Sequence, residues 1–93
     1  VIGNRILVVD DDESLRRVTQ VRLEKAGYQT TTAADAQEAL ADLERNPIDL
    51  VITDLKMPGL SGVDLLRCIR AEYPEKIVIV MTAYGTVESA VEA

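Results

Sequence analysis

The chain has 93 residues, 47% hydrophobic and 28% charged, proportions that suit one globular domain with a single modest core. A net charge of −6 argues against direct nucleic-acid binding, and the absence of His removes His-based general bases and most zinc chemistry. A lone cysteine, Cys68, excludes an internal disulfide and reads as a small buried hydrophobe; no apolar run is long enough to span a bilayer and no signal peptide opens the chain, so a cytoplasmic setting is expected.

The first predicted element is a strand, "ILVV" (6–9), which runs straight into Asp10, Asp11, Asp12 and Glu13. Four carboxylates at a strand end repel one another unless they are solvated or face a cation. Residues 14–26 form a predicted helix that Gly27 stops. "YQTTTA" (28–33) is Thr-rich but polar, as suits a weaker strand at a sheet edge. Ala36, Ala39, Leu40 and Leu43 then recur with helical spacing. Asp35 and Glu38 stand in capping-box positions before that run, and Asn46-Pro47 ends it.

"DLVITD" (49–54) is a nearly unbroken β-branched run, as expected of a parallel strand covered on both faces. The glycine- and proline-punctuated "KMPGLSG" (56–62) connects it to a helix over 61–73. Ser61 and Asp64 form that helix's capping box, with Leu66, Ile69 and Tyr73 on one face. A fourth apolar strand, "IVIVM" (77–81), follows, and Val87, Ala90 and Val91 open a fourth helix that the chain end cuts off.

Strict alternation of strands and helices predicts an α/β domain: a parallel sheet with right-handed crossovers and helices on both faces. In such sheets ligands bind beyond the carboxyl ends of the strands. Those ends carry Asp10 and Asp11, then Asp54, then Thr82, so three carboxylates and a hydroxyl converge on one rim. A hard, oxygen-ligated cation offsets the repulsion, and Mg²⁺ accepts one or two carboxylates while keeping waters. Asp12 and Ser14 are better explained as the start of the next helix.

The segments "VVDDDESLRR", "DLVITDLKMPGLSGVDLL" and "IVIVMTAYGTVESAVEA" together resemble the receiver domain of bacterial two-component response regulators. The details most resemble the NtrC-like, sigma-54-activating group. The resemblance covers essentially all 93 residues as one receiver domain, 1–93. It implies a flavodoxin-like (CheY-like) doubly wound parallel sheet of order 2-1-3-4.

It also implies that Asp54 is the phosphoacceptor for a sensor histidine kinase. Mg²⁺ would then be held by Asp10, Asp11, Asp54 and the backbone carbonyl of Lys56. Thr82 and Ala83 would face the phosphoryl group, and Lys56 and Tyr84 would tune its loss. The output domain, of AAA+ and DNA-binding type, would lie outside this chain.

The family's fifth strand, ending in Lys-Pro, and its fifth helix are not found, and 83–93 holds no Lys or Arg to replace that lysine. About 25–30 residues of such a unit are missing, so a fragment ending inside the fourth helix is expected. Strand 77–82 would then be a bare apolar edge inviting self-association by strand pairing or exchange. Two other functions are compatible with the acidic rim. One is a Mg²⁺-dependent phosphotransferase or phosphatase with an aspartyl nucleophile, although haloacid-dehalogenase-type enzymes carry Asp-x-Asp on the first strand. The other is an interaction domain that is never phosphorylated.

Overall fold

A computed structural model describes residues 5–55, 59 and 61–81, and the backbone of 87–89. The elements are β1 (Arg5–Val9), α1 (Glu13–Lys25), β2 (Gln29–Ala33), α2 (Ala36–Arg45), β3 (Leu50–Asp54), α3 (Gly62–Glu72), β4 (Ile77–Met81) and β5 (Val87–Ser89). They form one sheet of order β2-β1-β3-β4-β5, with the first four strands parallel. The expected 2-1-3-4 order is therefore present, and the polar β2 is indeed an edge strand.

Right-handed crossovers to opposite sides of β1 put α1 on one face of the sheet and α2 and α3 on the other. Side chains alternate accordingly. Leu7 and Val9 of β1, Val51 of β3 and Val78 and Val80 of β4 point toward α2 and α3. There they meet Ala36, Ala39, Leu43, Leu65, Leu66 and Ile69 in the main core. The predicted apolar stripes of α2 and α3 are thus the packed ones, with Leu40 and Tyr73 at the margin. Cys68 is only half-buried on α3, because Leu65 and Ile69 take the core-facing positions beside it.

The caps follow their side chains closely. Ser61 and Asp64 make the full box: the Asp64 N–H donates to Ser61 Oγ at 3.2 Å and the Ser61 N–H donates to Asp64 Oδ2 at 3.3 Å. The α2 box differs from the expected reciprocal form. The Glu38 N–H donates to Asp35 Oδ1 at 2.8 Å, but Glu38 Oε1 accepts from Ala34 N–H, one residue upstream of the cap.

The end of α1 is a Schellman motif, with Gly27 N–H donating to Glu24 O and Tyr28 N–H to Leu23 O, both at 3.1 Å. It needs Gly27 at φ +101°, and no atom stands within 4 Å of where a Cβ would project. The cost of Gly27→Ala is therefore purely conformational, about 1 kcal/mol. Urea denaturation is expected to show that loss through a lower midpoint at unchanged slope.

The helical face of α1 is unusual. None of its residues is fully buried. Its half-buried inward stripe is Arg16, Thr19, Gln20 and Leu23, largely polar. Leu15, Val18 and Val21 instead face solvent, 57%, 49% and 41% exposed. Among the described residues no helix is long and apolar enough to cross a membrane.

The last segment departs from expectation. Val87–Ser89 is not the start of a helix but a strand antiparallel to β4, with Met81 opposite Val87, Val80 opposite Glu88 and Ile79 opposite Ser89. The sheet thus gains a three-residue antiparallel strand from residues expected to be helical, distinct from the Lys-Pro-ended strand that was not found, and the edge expected to be bare is paired over Ile79–Met81. The physical reason is competition. A helix this short gains little alone in water, whereas the row of unpaired N–H and C=O groups on β4 offers partners at once. Residues 82–86 and 90–93, including the remaining positions of the expected fourth helix, lie outside the described residues.

Candidate functional site

The site is assembled by strand register. β1 and β3 are adjacent and parallel with Val9 opposite Thr53, so the next residues, Asp10 and Asp54, lie side by side at the carboxyl rim. Asp54 is the last residue of β3 and faces Met81 of β4. The Leu55 N–H donates to Met81 O at 2.8 Å, tying together the strand ends from which 55 and 82 continue. Asp10 is held by its own N–H, which donates to Ala33 O of β2 at 3.1 Å.

One carboxylate oxygen from each of Asp10, Asp11 and Asp54 lies within 4.8 Å of the others. Asp10 is 4% exposed, Asp54 is half-buried and Asp11 is exposed. Burial pushes the Asp10 carboxyl above the usual carboxylate value. The N–H of Asp12, donating to Asp10 Oδ1 at 2.9 Å, pulls the other way, while the charges of Asp54, Asp11 and Asp12 add to the rise.

The sign of that shift matters. An acid whose folded pKa is raised favours folding while protonated and loses that contribution as pH rises through it. At neutral pH an ionised Asp10 therefore opposes the fold, and a cation beside it reverses the penalty. The donors are all carboxylate oxygens, which suits a hard cation. Three carboxylate oxygens gathered within 4.8 Å of one another suit a small, hard, oxygen-ligated ion such as Mg²⁺. The residues fit the ion.

Asp12 stands apart from this trio. Its Oδ1 caps α1, accepting from Ser14 N–H at 2.9 Å and Leu15 N–H at 3.1 Å. Lys56, Thr82, Ala83 and Tyr84, the other expected site residues, lie outside the described residues.

Two neighbours of the site were not foreseen. Gly62, at the first turn of α3, is buried against the backbone of Asp54; a Cβ there would stand 2.3 Å from Asp54 O. The available signal was a glycine inside a helix directly after its serine cap, a place where glycine is otherwise unfavourable. Arg16, on the inward stripe of α1, donates through Nη1 to the backbone carbonyl of Asp10 at 2.8 Å.

The fold and rim define a doubly wound α/β module with an acidic, cation-suited cluster at the strand ends. Residues 6–93 match the response regulator receiver domain family. Response regulator protein FleR of Pseudomonas aeruginosa is 43% identical over 89 residues, covering 96% of this chain and 19% of FleR. DNA-binding transcriptional regulator NtrC of Salmonella typhimurium is 40% identical over 88 residues, covering 95% of this chain and 19% of NtrC. The chain thus spans about a fifth of the length of these relatives.

Among solved structures, response regulator TrrA of Thermotoga maritima in complex with Mg²⁺-BeF superposes with a TM-score of 0.83 at 40% identity, covering 87% of this chain and 70% of TrrA. TrrA in complex with the histidine kinase ThkA gives a TM-score of 0.83 at 38% identity, covering 89% of this chain and 72% of TrrA. The chain belongs to the response regulator receiver domain family. It is a signalling module of the two-component type, not a classical enzyme, and the NtrC-type resemblance agrees with the relatives found.

Proposed function

We propose that Asp54 accepts a phosphoryl group from the phosphohistidine of a sensor histidine kinase, in a cytoplasmic setting, and that the change of state drives a transcriptional output domain. The observation that carries this reading is the grouping of Asp10, Asp11 and Asp54 at the strand ends. An Asp54 carboxylate oxygen attacks phosphorus, the P–N bond to the donor imidazole breaks, and an acyl phosphate results. Mg²⁺, held by Asp10, Asp11, Asp54 and the Lys56 carbonyl, supplies charge neutralisation that lets two anions meet.

Asp10 provides a buried, pre-placed carboxylate whose ionised form the cation rewards. Asp11, exposed at the mouth, is placed to exchange ligands with solvent as the phosphoryl group enters. Thr82 and Ala83 follow β4 directly and are assigned to the phosphoryl oxygens; Lys56 and Tyr84 are assigned to the rate of phosphate loss. With no His in these 93 residues, a phosphohistidine donor lies outside them, and a small acyl phosphate is the other donor class. The exposed Leu15, Val18 and Val21 begin beside the site at the α1 N-terminus, which favours a protein donor docking along that helix. Any self-phosphorylation or self-dephosphorylation is a single-site event on Asp54.

The test is intact-mass analysis after incubation with acetyl phosphate. One phosphate per chain is expected with Mg²⁺, mapping to Asp54, and none after chelation by EDTA. Labelling that survives EDTA, or that maps elsewhere, overturns the reading.

A further inference from the structure

Arg16 is a cation placed where the packing of α1 would otherwise favour an apolar residue. It shares the half-buried inward stripe with Thr19, Gln20 and Leu23, while Leu15 and Val18 on either side of it face solvent. Its guanidinium reaches back along the chain to the main-chain oxygen of Asp10 at 2.8 Å. Asp10 is then fixed at three points: its N–H donates to Ala33 O, its carbonyl accepts from Arg16, and its Oδ1 accepts from Asp12 N–H. The peptide joining Asp10 to Asp11 is thereby held at its carbonyl, and the side chain of Asp10 at its Oδ1.

The choice of acceptor is the informative detail. An arginine paired with one of the three carboxylates would neutralise charge but occupy an oxygen that a metal needs. Bonded to the Asp10 carbonyl, it brings positive charge up to the acidic rim and leaves the carboxylates free. A simple staple between α1 and β1 needs no charge, and a neutral donor would serve it equally.

We propose that Arg16 is a positioning residue for the metal site: it orients the main chain that carries the Asp10–Asp11 pair without entering the coordination shell. This rests on reading Asp10, Asp11 and Asp54 as a Mg²⁺ site.

The test compares wild type with Arg16→Met, Arg16→Gln and Arg16→Lys. Mg²⁺ affinity is read from amide NMR shifts of Asp10 to Asp12, and stability from urea denaturation in EDTA. The two neutral variants are expected to bind Mg²⁺ about five- to tenfold more weakly. The Mg²⁺ concentration for half-maximal acetyl phosphate labelling should move by the same factor, with the rate at saturating Mg²⁺ within about twofold of wild type. Arg16→Lys, with the charge but not the planar fork, is expected to fall between.

Wild-type Mg²⁺ affinity in a folded neutral variant overturns the proposal and leaves Arg16 a staple, whatever happens to stability. If neither neutral variant folds, Arg16→Lys carries the test, and wild-type affinity in it overturns the proposal. Failure of the wild-type protein itself to bind Mg²⁺ instead overturns the underlying site reading.

Discussion

Asp54→Ala is expected to abolish phosphorylation by acetyl phosphate or a cognate kinase, to below about 1% of wild type, because the nucleophilic oxygen itself is gone. The loss should come without a loss of stability. The Asp54 charge is one of the causes that raise the Asp10 carboxyl above its usual value. Removing it lowers that carboxyl toward the ordinary range, so ionised Asp10 opposes folding less at neutral pH. In EDTA the variant should therefore denature at a urea concentration equal to or above that of wild type. Asp54 is half-buried at the rim, so water screens its charge and the gain is small. Undiminished labelling would sink the acceptor assignment, and a marked fall in stability would contradict the electrostatic account of the acidic trio.

Gly62→Ala is expected to damage both the fold and the site. The added methyl would meet Asp54 O at 2.3 Å, Leu55 Cα at 3.0 Å and Asp54 C at 3.1 Å, all backbone atoms without rotameric escape. Alanine gains about 1 kcal/mol over glycine in helix propensity, but overpacking against rigid surroundings costs about 1–3 kcal/mol. Here the upper end of that range applies, for a net loss of about 2 kcal/mol in urea denaturation. The chain relieves the clash by parting α3 from the end of β3. The carbonyl being pushed is that of Asp54, which also accepts from the Thr53 hydroxyl at 3.1 Å, so the carboxylate proposed as acceptor shifts with it. Labelling by acetyl phosphate should slow by about tenfold or more, since misplacement by 1 Å has effects of that order. A variant as stable and as readily labelled as wild type would show that the glycine is there only for its helix position.

Three of the four parallel strands were legible because "ILVV", "DLVITD" and "IVIVM" are too apolar and too β-branched to be surface elements. Asp10, Asp11 and Asp54 were legible because strand ends in such a sheet share one rim, and their grouping follows from register alone. The caps at Ser61 and Gly27 were legible because they are local chemistry.

Val87–Ser89 was not, because its residues suit a helix and the pairing that makes it a strand comes from β4, not from itself. Gly62 and Arg16 were hidden for a related reason. A glycine inside a helix and an arginine beside leucine and valine have nothing unusual in sequence until β3 and β1 are brought against them. The polar inward face of α1 also inverts the usual guide, by which the apolar residues of a helix mark its buried side.

That inversion leaves α1 joined to the sheet through half-buried, largely polar side chains, capped by Asp12 and ended by the Gly27 turn, with no side chain fully sunk in the core. Such an element opens at far lower free energy than the whole domain. Asp11, Asp12 and Arg16 all lie at the entrance of this helix, so a local opening there would disturb the acidic rim while the sheet stayed folded. Asp10, Asp11 and Asp54 would hold a divalent ion between that entrance and the ends of β1 and β3, and the bound ion would act as a latch. Part of its binding free energy would then close the helix entrance, and its apparent affinity would fall in proportion to the fraction of molecules in which the entrance stands open.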